Sequence, residues 1–231
     1  MEPIGIIHSC FKEKFGIPRQ AGLAPAARAE LELFKPYGSV EAVRGLETFS
    51  HIWVIFLFHE CVGKSWRSTV RPPRLGGNRR IGVFASRSGF RPNAIGMSAV
   101  GLEKISLSPL PVRLSISGVD ILDETQVLDI KPYIPYADCL PGAGGGFASE
   151  PPQDSVSVVF SNEAEVVCRQ RAMYIPLLQD LIVQIIQSDP RPAYYARRPK
   201  KNSFGVKIYD LEVKWVYREN RAIVTGIVPA R

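Results

Sequence analysis

The sequence predicts a mainly β protein: a barrel or closed sheet over residues 1–136 and a small α+β unit over 156–231, joined by a Gly/Pro-rich linker at 137–155. Three observations predict it. Short β-branched and aromatic runs alternate with Gly/Pro turns through the first part, and no long segment there has a helical period. The composition then changes to ADCLPGAGGGFASEPPQDS, which has few side chains able to enter a core. Beyond it a helical period sets in and gives way to alternating strands.

The strand-sized runs of the first part are 4–8, 30–34, 51–58, 81–85, 99–107, 112–120 and 127–130. That number at this spacing is enough to close a barrel. In the linker, the glycines between 142 and 146 invite a nucleotide-loop reading, which requires a strand before and a helix after. Here Pro141 precedes them and Pro151 and Pro152 follow, so the run reads as linker. In the last part Ser161 can cap a helix that carries Glu163 and Glu165 in its first turn. Val166, Val167, Leu177, Leu178, Leu181, Ile182, Ile185 and Ile186 follow near helical period, and Pro176 divides them into two helices. Strands are expected over 206–210, 212–217 and 222–228, with a turn at Glu219 and Asn220.

With 45% hydrophobic and 22% charged residues in 231, the chain can bury a core without disulfides or metals. Cys10, Cys61, Cys139 and Cys168 are far apart, with no CxxC and no histidine at ligand spacing, so reduced thiols and no metal site are expected. The longest apolar run, 52–58, is strand-sized, well below the roughly 18 to 20 residues that span a bilayer. No positively charged segment followed by a long apolar core opens the sequence. A cytoplasmic protein without membrane contact is the expectation.

The net charge of +7 is unevenly placed. Residues 61–102 hold Lys64, Arg67, Arg71, Arg74, Arg79, Arg80, Arg87 and Arg91 and no acid. Residues 190–209 hold Arg191, Arg197, Arg198, Lys200, Lys201 and Lys207, again with no acid. The other 15 of the 29 basic residues are outnumbered by the 22 acids, so the basicity sits in two patches, as a polyanion partner requires. A solvated basic face is the plainer reading of any such run. In the first patch, however, arginine dominates and Trp66, Phe84 and Phe90 are interleaved, which favours phosphate forks and base stacking.

Five segments carry a more specific signal: KEKFGIPRQAG (12–22), RGLETFSHIWVIFLFHE (44–60), RPPRLGG (71–77), GVFASRSGFRPNAIGMS (82–98) and DILDETQVLDIKPY (120–133). Together they resemble the TrmO (TsaA/YaeB-like) family, and DPRPAY (189–194) is similar to that family's C-terminal signature. The resemblance implies a single-sheet antiparallel barrel, a small C-terminal domain and a homodimer. It further implies methyl transfer from S-adenosyl-L-methionine to N6 of threonylcarbamoyladenosine, position 37 of tRNA, just 3′ of the anticodon. A tRNA anticodon arm is then the partner, and no DNA is expected.

For the cofactor the resemblance implies Pro18, Arg19 and Gln20, a tripeptide whose arginine would otherwise read as a surface-loop residue. It adds His59 and Glu60 at the end of an apolar strand, Met97, and the strand end Ser117, Gly118, Val119 and Asp120. His59 is taken as a contact rather than a base, and Met97 would otherwise read as core packing. Arg87 is placed at the reaction centre, pairing with a carboxylate of either the cofactor or the threonylcarbamoyl group. Methyl transfer from a cationic sulfonium depends mainly on in-line positioning. The N6 nucleophile is weak, so Asp120 and Asp189 are the candidate proton acceptors. Arg71, Arg74, Arg91, Asn93, Arg191, Tyr194, Arg197 and Arg198 are the candidate tRNA contacts. Two residues depart from the family pattern. Ala94 stands where proline is usual, and Glu124 stands where glycine is usual, which puts the geometry of those loops in question. The competing readings are a non-catalytic tRNA-binding module and a small-molecule methyltransferase.

Overall fold

In the computed structural model residues 1–152, 156–191, 202–219 and 221–230 are described. The first part contains β1 (Gly5–Ser9), β2 (Arg28–Leu33), β3 (His51–Leu57), β4 (Thr69–Val70), β5 (Ile81–Gly82), β6 (Ile95–Ser106), β7 (Arg113–Ser117) and β8 (Thr125–Pro132). Six of these close a single antiparallel barrel in the order β1-β2-β7-β6-β3-β8, with β8 pairing back onto β1. The two-residue period of a strand explains which residues fill it. Ile52, Val54 and Phe56 on β3 and Leu114 and Ile116 on β7 face inward, while their neighbours stay partly exposed. Each such side chain contributes about 1.5–3 kcal/mol by leaving water.

The strand expected over 81–85 holds only for its first two residues. Val83 donates its N–H to Ser68 O at 3.0 Å, and the next residues turn as a 3-10 helix, Val83–Ala85. The Arg91 guanidinium pins that turn by donating to Val83 O at 3.2 Å and Ser86 O at 2.6 Å. The chain between β3 and β6 therefore leaves the barrel as a basic loop whose regular core is the small β4–β5 ribbon. A seventh barrel strand is not added.

After β8 come a single helical turn, α1 (Pro135–Asp138), and a stretch that stays exposed through residue 152. The remaining elements are β9 (Ser157–Phe160), α2 (Asn162–Arg171), α3 (Leu178–Gln187), β10 (Ser203–Ile208), β11 (Leu211–Arg218) and β12 (Arg221–Pro229). Ser161 caps α2 as expected, its Oγ accepting from Ala164 N at 3.3 Å. The two glutamates of the first turn and Arg169 and Arg171 of the last suit the helix dipole. Helix α3 buries Leu178, Leu181, Ile182, Ile185 and Ile186. The sheet order is β10-β11-β12-β9, and β9, which pairs parallel to β12, has no counterpart in the sequence reading.

The two parts share one continuous hydrophobic cluster. Phe11 forms a β-bridge with Ile208, and Tyr209 N donates to Cys10 O at 2.8 Å. The Phe15 ring stacks 6.0 Å from Trp215 and 6.2 Å from Phe204. Gln184 on α3 reaches back so that its Oε1 accepts from Ala26 N at 2.9 Å. These contacts hold the loop 12–27, which forms one wall of the site, between barrel and sheet.

Candidate active site

A cavity of ≈ 440 Å³ opens at one end of the barrel. Antiparallel pairing creates it by setting Leu57 at the end of β3 opposite Ile95 at the start of β6, with Phe56 opposite Val127 near the start of β8. Phe56, Phe58, Ile95 and Met97 give it an apolar wall. Gly96 keeps that wall flat, since a Cβ there would lie 2.5 Å from the Phe56 ring. The polar side is supplied by Lys14, Gln20, Glu60, Arg87, Ser98 and Asp120.

Of the residues expected at the cofactor, Pro18, Arg19, Gln20, His59, Glu60, Arg87, Met97 and Asp120 all line this cavity. Ser117, Gly118 and Val119 do not. Ser117 belongs to the ladders of β2 and β6, and Val119 is fully buried. Gly118 adopts φ +66°, donates to Ala27 O at 2.9 Å and accepts from Gly22 N at 2.8 Å. That turn suits glycine and fixes Asp120, two residues on, against the loop that carries Gln20.

Asp120 is the most constrained of these groups. Its Oδ1 accepts from Ser98 Oγ at 2.6 Å. Burial pushes its carboxyl above the usual range, more than the Ser98 hydrogen bond and the Arg87 charge pull it down. Arg87 is held in turn, donating from Nη1 to Gln20 Oε1 at 2.6 Å. Glu60 pairs with Lys14, whose hydrogen bond keeps the Glu60 carboxyl below its usual range. Thr125 Oγ1 gives its single proton to Leu122 O at 2.6 Å, so at 3.2 Å from His59 Nδ1 it accepts. This assigns the Nδ1–H tautomer to neutral His59 and leaves Nε2 as its acceptor.

Ser98 was missed in the sequence, although a signal existed. On β6 it is the polar residue of the buried set Gly96, Ser98 and Val100. A hydroxyl at an inward strand position calls for a partner.

Asp189 lies outside the cavity and is already engaged. Arg191 pairs with it through Nε to Oδ1 and Nη2 to Oδ2, both at 2.7 Å, and stacks 3.8 Å above the Tyr217 ring. The segment still touches the site wall, because Arg19 Nη2 donates to Asp189 O at 3.4 Å. Arg74 donates to Glu150 O, and Arg91 serves the turn described above while also lining the cavity. Asn93 is exposed next to β6, and Arg71 follows β4. Tyr194, Arg197 and Arg198 lie outside the described residues. Among the described residues, no group of three His, Cys, Asp or Glu side chains could hold a metal ion, and no helix is long and apolar enough to cross a membrane.

Comparison with known proteins follows the same division of the chain. Residues 6–139 match the tRNA-methyltransferase O N-terminal domain and residues 153–230 match the TrmO C-terminal domain. The tRNA (adenine(37)-N6)-methyltransferase of Escherichia coli strain K12 is 45% identical over 93% of this chain and 91% of its own length. A Pseudomonas aeruginosa protein whose name provisionally classes it as an S-adenosylmethionine-dependent methyltransferase is 49% identical over 94% of this chain and 92% of its own. The crystal structure of TrmO from Pseudomonas aeruginosa superposes with a TM-score of 0.82 at 41% identity, covering 98% of this chain and 96% of that one. The chain belongs to the TrmO family of tRNA methyltransferases.

Proposed function

We propose that this protein methylates N6 of the threonylcarbamoyladenosine at position 37 of tRNA, using S-adenosyl-L-methionine held in the barrel cavity. The single observation that carries the reading is the pairing, in one cavity, of an apolar aromatic wall with the Asp120–Ser98 and Arg87–Gln20 contacts, beside an acid-free basic loop. The cavity's size falls in the range of small-molecule sites. Its donor set also fits the cofactor. Phe56, Phe58, Ile95 and Met97 suit an adenosine face, Arg87 suits a carboxylate, and Glu60 suits an ammonium group. Bound S-adenosylmethionine supplies a methyl on cationic sulfur, so N6 forms its new bond to carbon as the carbon–sulfur bond breaks and the N6 proton is lost.

The chain's own residues then have separate tasks. Asp120 is positioned as the proton acceptor, since Ser98 orients it and its raised affinity for protons suits the role. Asp189 is engaged by Arg191 and acts by holding that guanidinium rather than as a base. Arg87, steadied by Gln20, pairs with a carboxylate, and the side chains that converge on the cavity supply the in-line geometry. Arg71, Arg74, Asn93 and Arg191, with Tyr194, Arg197 and Arg198, form the RNA-facing set, and Arg91 shapes the loop between. The active form is taken to be a cytoplasmic homodimer, as the family resemblance implies.

Methylation rates on tRNA transcripts carrying or lacking the threonylcarbamoyl group test the substrate assignment. Turnover should require the group. Equal rates on unmodified adenosine would contradict it, and turnover of free nucleoside at the tRNA rate would favour the small-molecule reading.

A further inference from the structure

Beside the barrel cavity lies a second concavity of ≈ 600 Å³, framed by Trp66, Arg67, Arg71, Arg80 and Phe90 and floored by residues 68–70 and Ser88. It belongs to the basic loop, and its shape is set by backbone pairing. Thr69 and Val70 pair with Gly82 and Ile81, and Arg67 N donates to Phe90 O at 3.1 Å. The Arg67 guanidinium lies 4.6 Å over the Phe90 ring, forming a flat cationic platform. Trp66 is 52% exposed, an unusual position for the largest apolar side chain.

The electrostatics point the same way. Among the described residues, Arg67, Arg71 and Arg80 have no carboxylate within 4.0 Å. Three like charges around one concavity repel each other, and an anion between them relieves the repulsion. Stacking surfaces with unneutralised arginines match the two halves of a nucleotide, the base and the phosphate. One strip of chain separates the two cavities, since Ser86, Arg87 and Arg91 line the first while Ser88 and Phe90 line the second.

We infer that this concavity is a subsite for one unpaired nucleotide of the RNA next to the adenosine being methylated, its base stacked on Trp66 and the Arg67–Phe90 platform and its phosphate held by Arg71 and Arg80. The inference rests on the RNA-methylation reading above and adds to it a second, sequence-tolerant anchor. Stacking and charge read a π-face and a phosphate, so base identity matters little.

The test is a cycle of two changes read in methylation kinetics. Anticodon stem-loops carry the modified adenosine with the flanking nucleotides intact, or with the 5′ or the 3′ neighbour made abasic. The enzymes are wild type and Trp66→Ala, with Arg71→Ala/Arg80→Ala as a second variant. Removing one flanking base should raise KM for wild type by roughly five- to a hundredfold, the range of base stacking on an aromatic. Trp66→Ala should raise KM similarly on the intact loop and show no further loss on that abasic loop. The double arginine variant should weaken binding of every loop and flatten its salt dependence. S-adenosylmethionine affinity, measured by calorimetry, should not change in either variant. Losses from the base and from Trp66 that simply multiply at both neighbours would overturn the inference while leaving the methylation reading intact. Wild-type enzyme that fails to methylate the intact loop would remove both.

Discussion

Asp120 and Arg87 both line the cavity, and the roles proposed for them, proton acceptor and carboxylate partner, each make a prediction. Arg87 is held by Gln20 at 2.6 Å, and on the proposed reading its Ala replacement removes a pair with a carboxylate of the bound cofactor or substrate. The expected loss is about 2–4 kcal/mol of transition-state stabilisation, roughly 30- to 1000-fold in kcat/KM by single-turnover and steady-state assay. For Asp120 burial raises the pKa, so ionisation opposes folding. The stability from this shift is complete below the unfolded value of about 3.9 and is lost as pH rises through the higher native value. Asp120→Asn keeps an acceptor for Ser98 Oγ and should therefore match or exceed wild-type thermal stability at neutral pH while losing methylation rate. The wild-type rate should fall as pH drops through the raised native pKa, and the variant should lack that acid limb. A variant as active as wild type, with the same pH profile, would exclude Asp120 as the proton acceptor.

At the scale of elements, the loop between β7 and β8 explains one of the two departures from the family pattern. Glu124, where glycine is usual, sits at φ +61° and donates its N–H to Ile7 O at 2.8 Å. A left-handed residue with a Cβ costs roughly 1–2 kcal/mol, whereas glycine costs about 0.4–1 kcal/mol through the unfolded chain. Strain wins, so Glu124→Gly should stabilise by about 0.5–1 kcal/mol. Scanning calorimetry should show a Tm rise of roughly 1–4 °C for a chain of this size. A fall in Tm would mean that the exposed Glu124 side chain contributes more than its backbone costs. The barrel strands were legible because alternation survives wherever one face is buried, as in Ile52, Val54 and Phe56. The helices were legible from Ser161 and the Leu178 to Ile186 stripe. Strand β9 was not, because four residues beside a Pro-rich stretch carry no period of their own and are ordered by pairing with β12. The 81–85 run failed for a related reason: its β-like composition is overridden by hydrogen bonds from Arg91, eight residues away from Val83. Most cavity residues came from family-like segments, whereas the contacts that carry the local Asp189–Arg191 pair to the Tyr217 ring and to Arg19 run across the fold, and no local pattern encodes them.

At the scale of the whole molecule, the proposed function assigns to the uneven charge distribution the field that brings RNA to the cavity. The basic loop has no acid between residues 61 and 102, and the second patch follows α3. Each phosphate contacted releases roughly 0.7 to 0.9 counterions, so tRNA affinity measured by filter binding should fall steeply between low and moderate salt. A flat response would reduce both patches to solvated surface. The central claim is narrower than RNA binding: one labelled methyl should arrive at one nitrogen. The measurement is mass spectrometry of nucleosides released from tRNA after incubation with the protein and S-adenosylmethionine bearing a deuterated methyl group. The account predicts that threonylcarbamoyladenosine gains a single labelled methyl on N6 and that no other nucleoside is labelled. Label on a ribose or on a different base, or none at all from a protein that binds the cofactor, would contradict it.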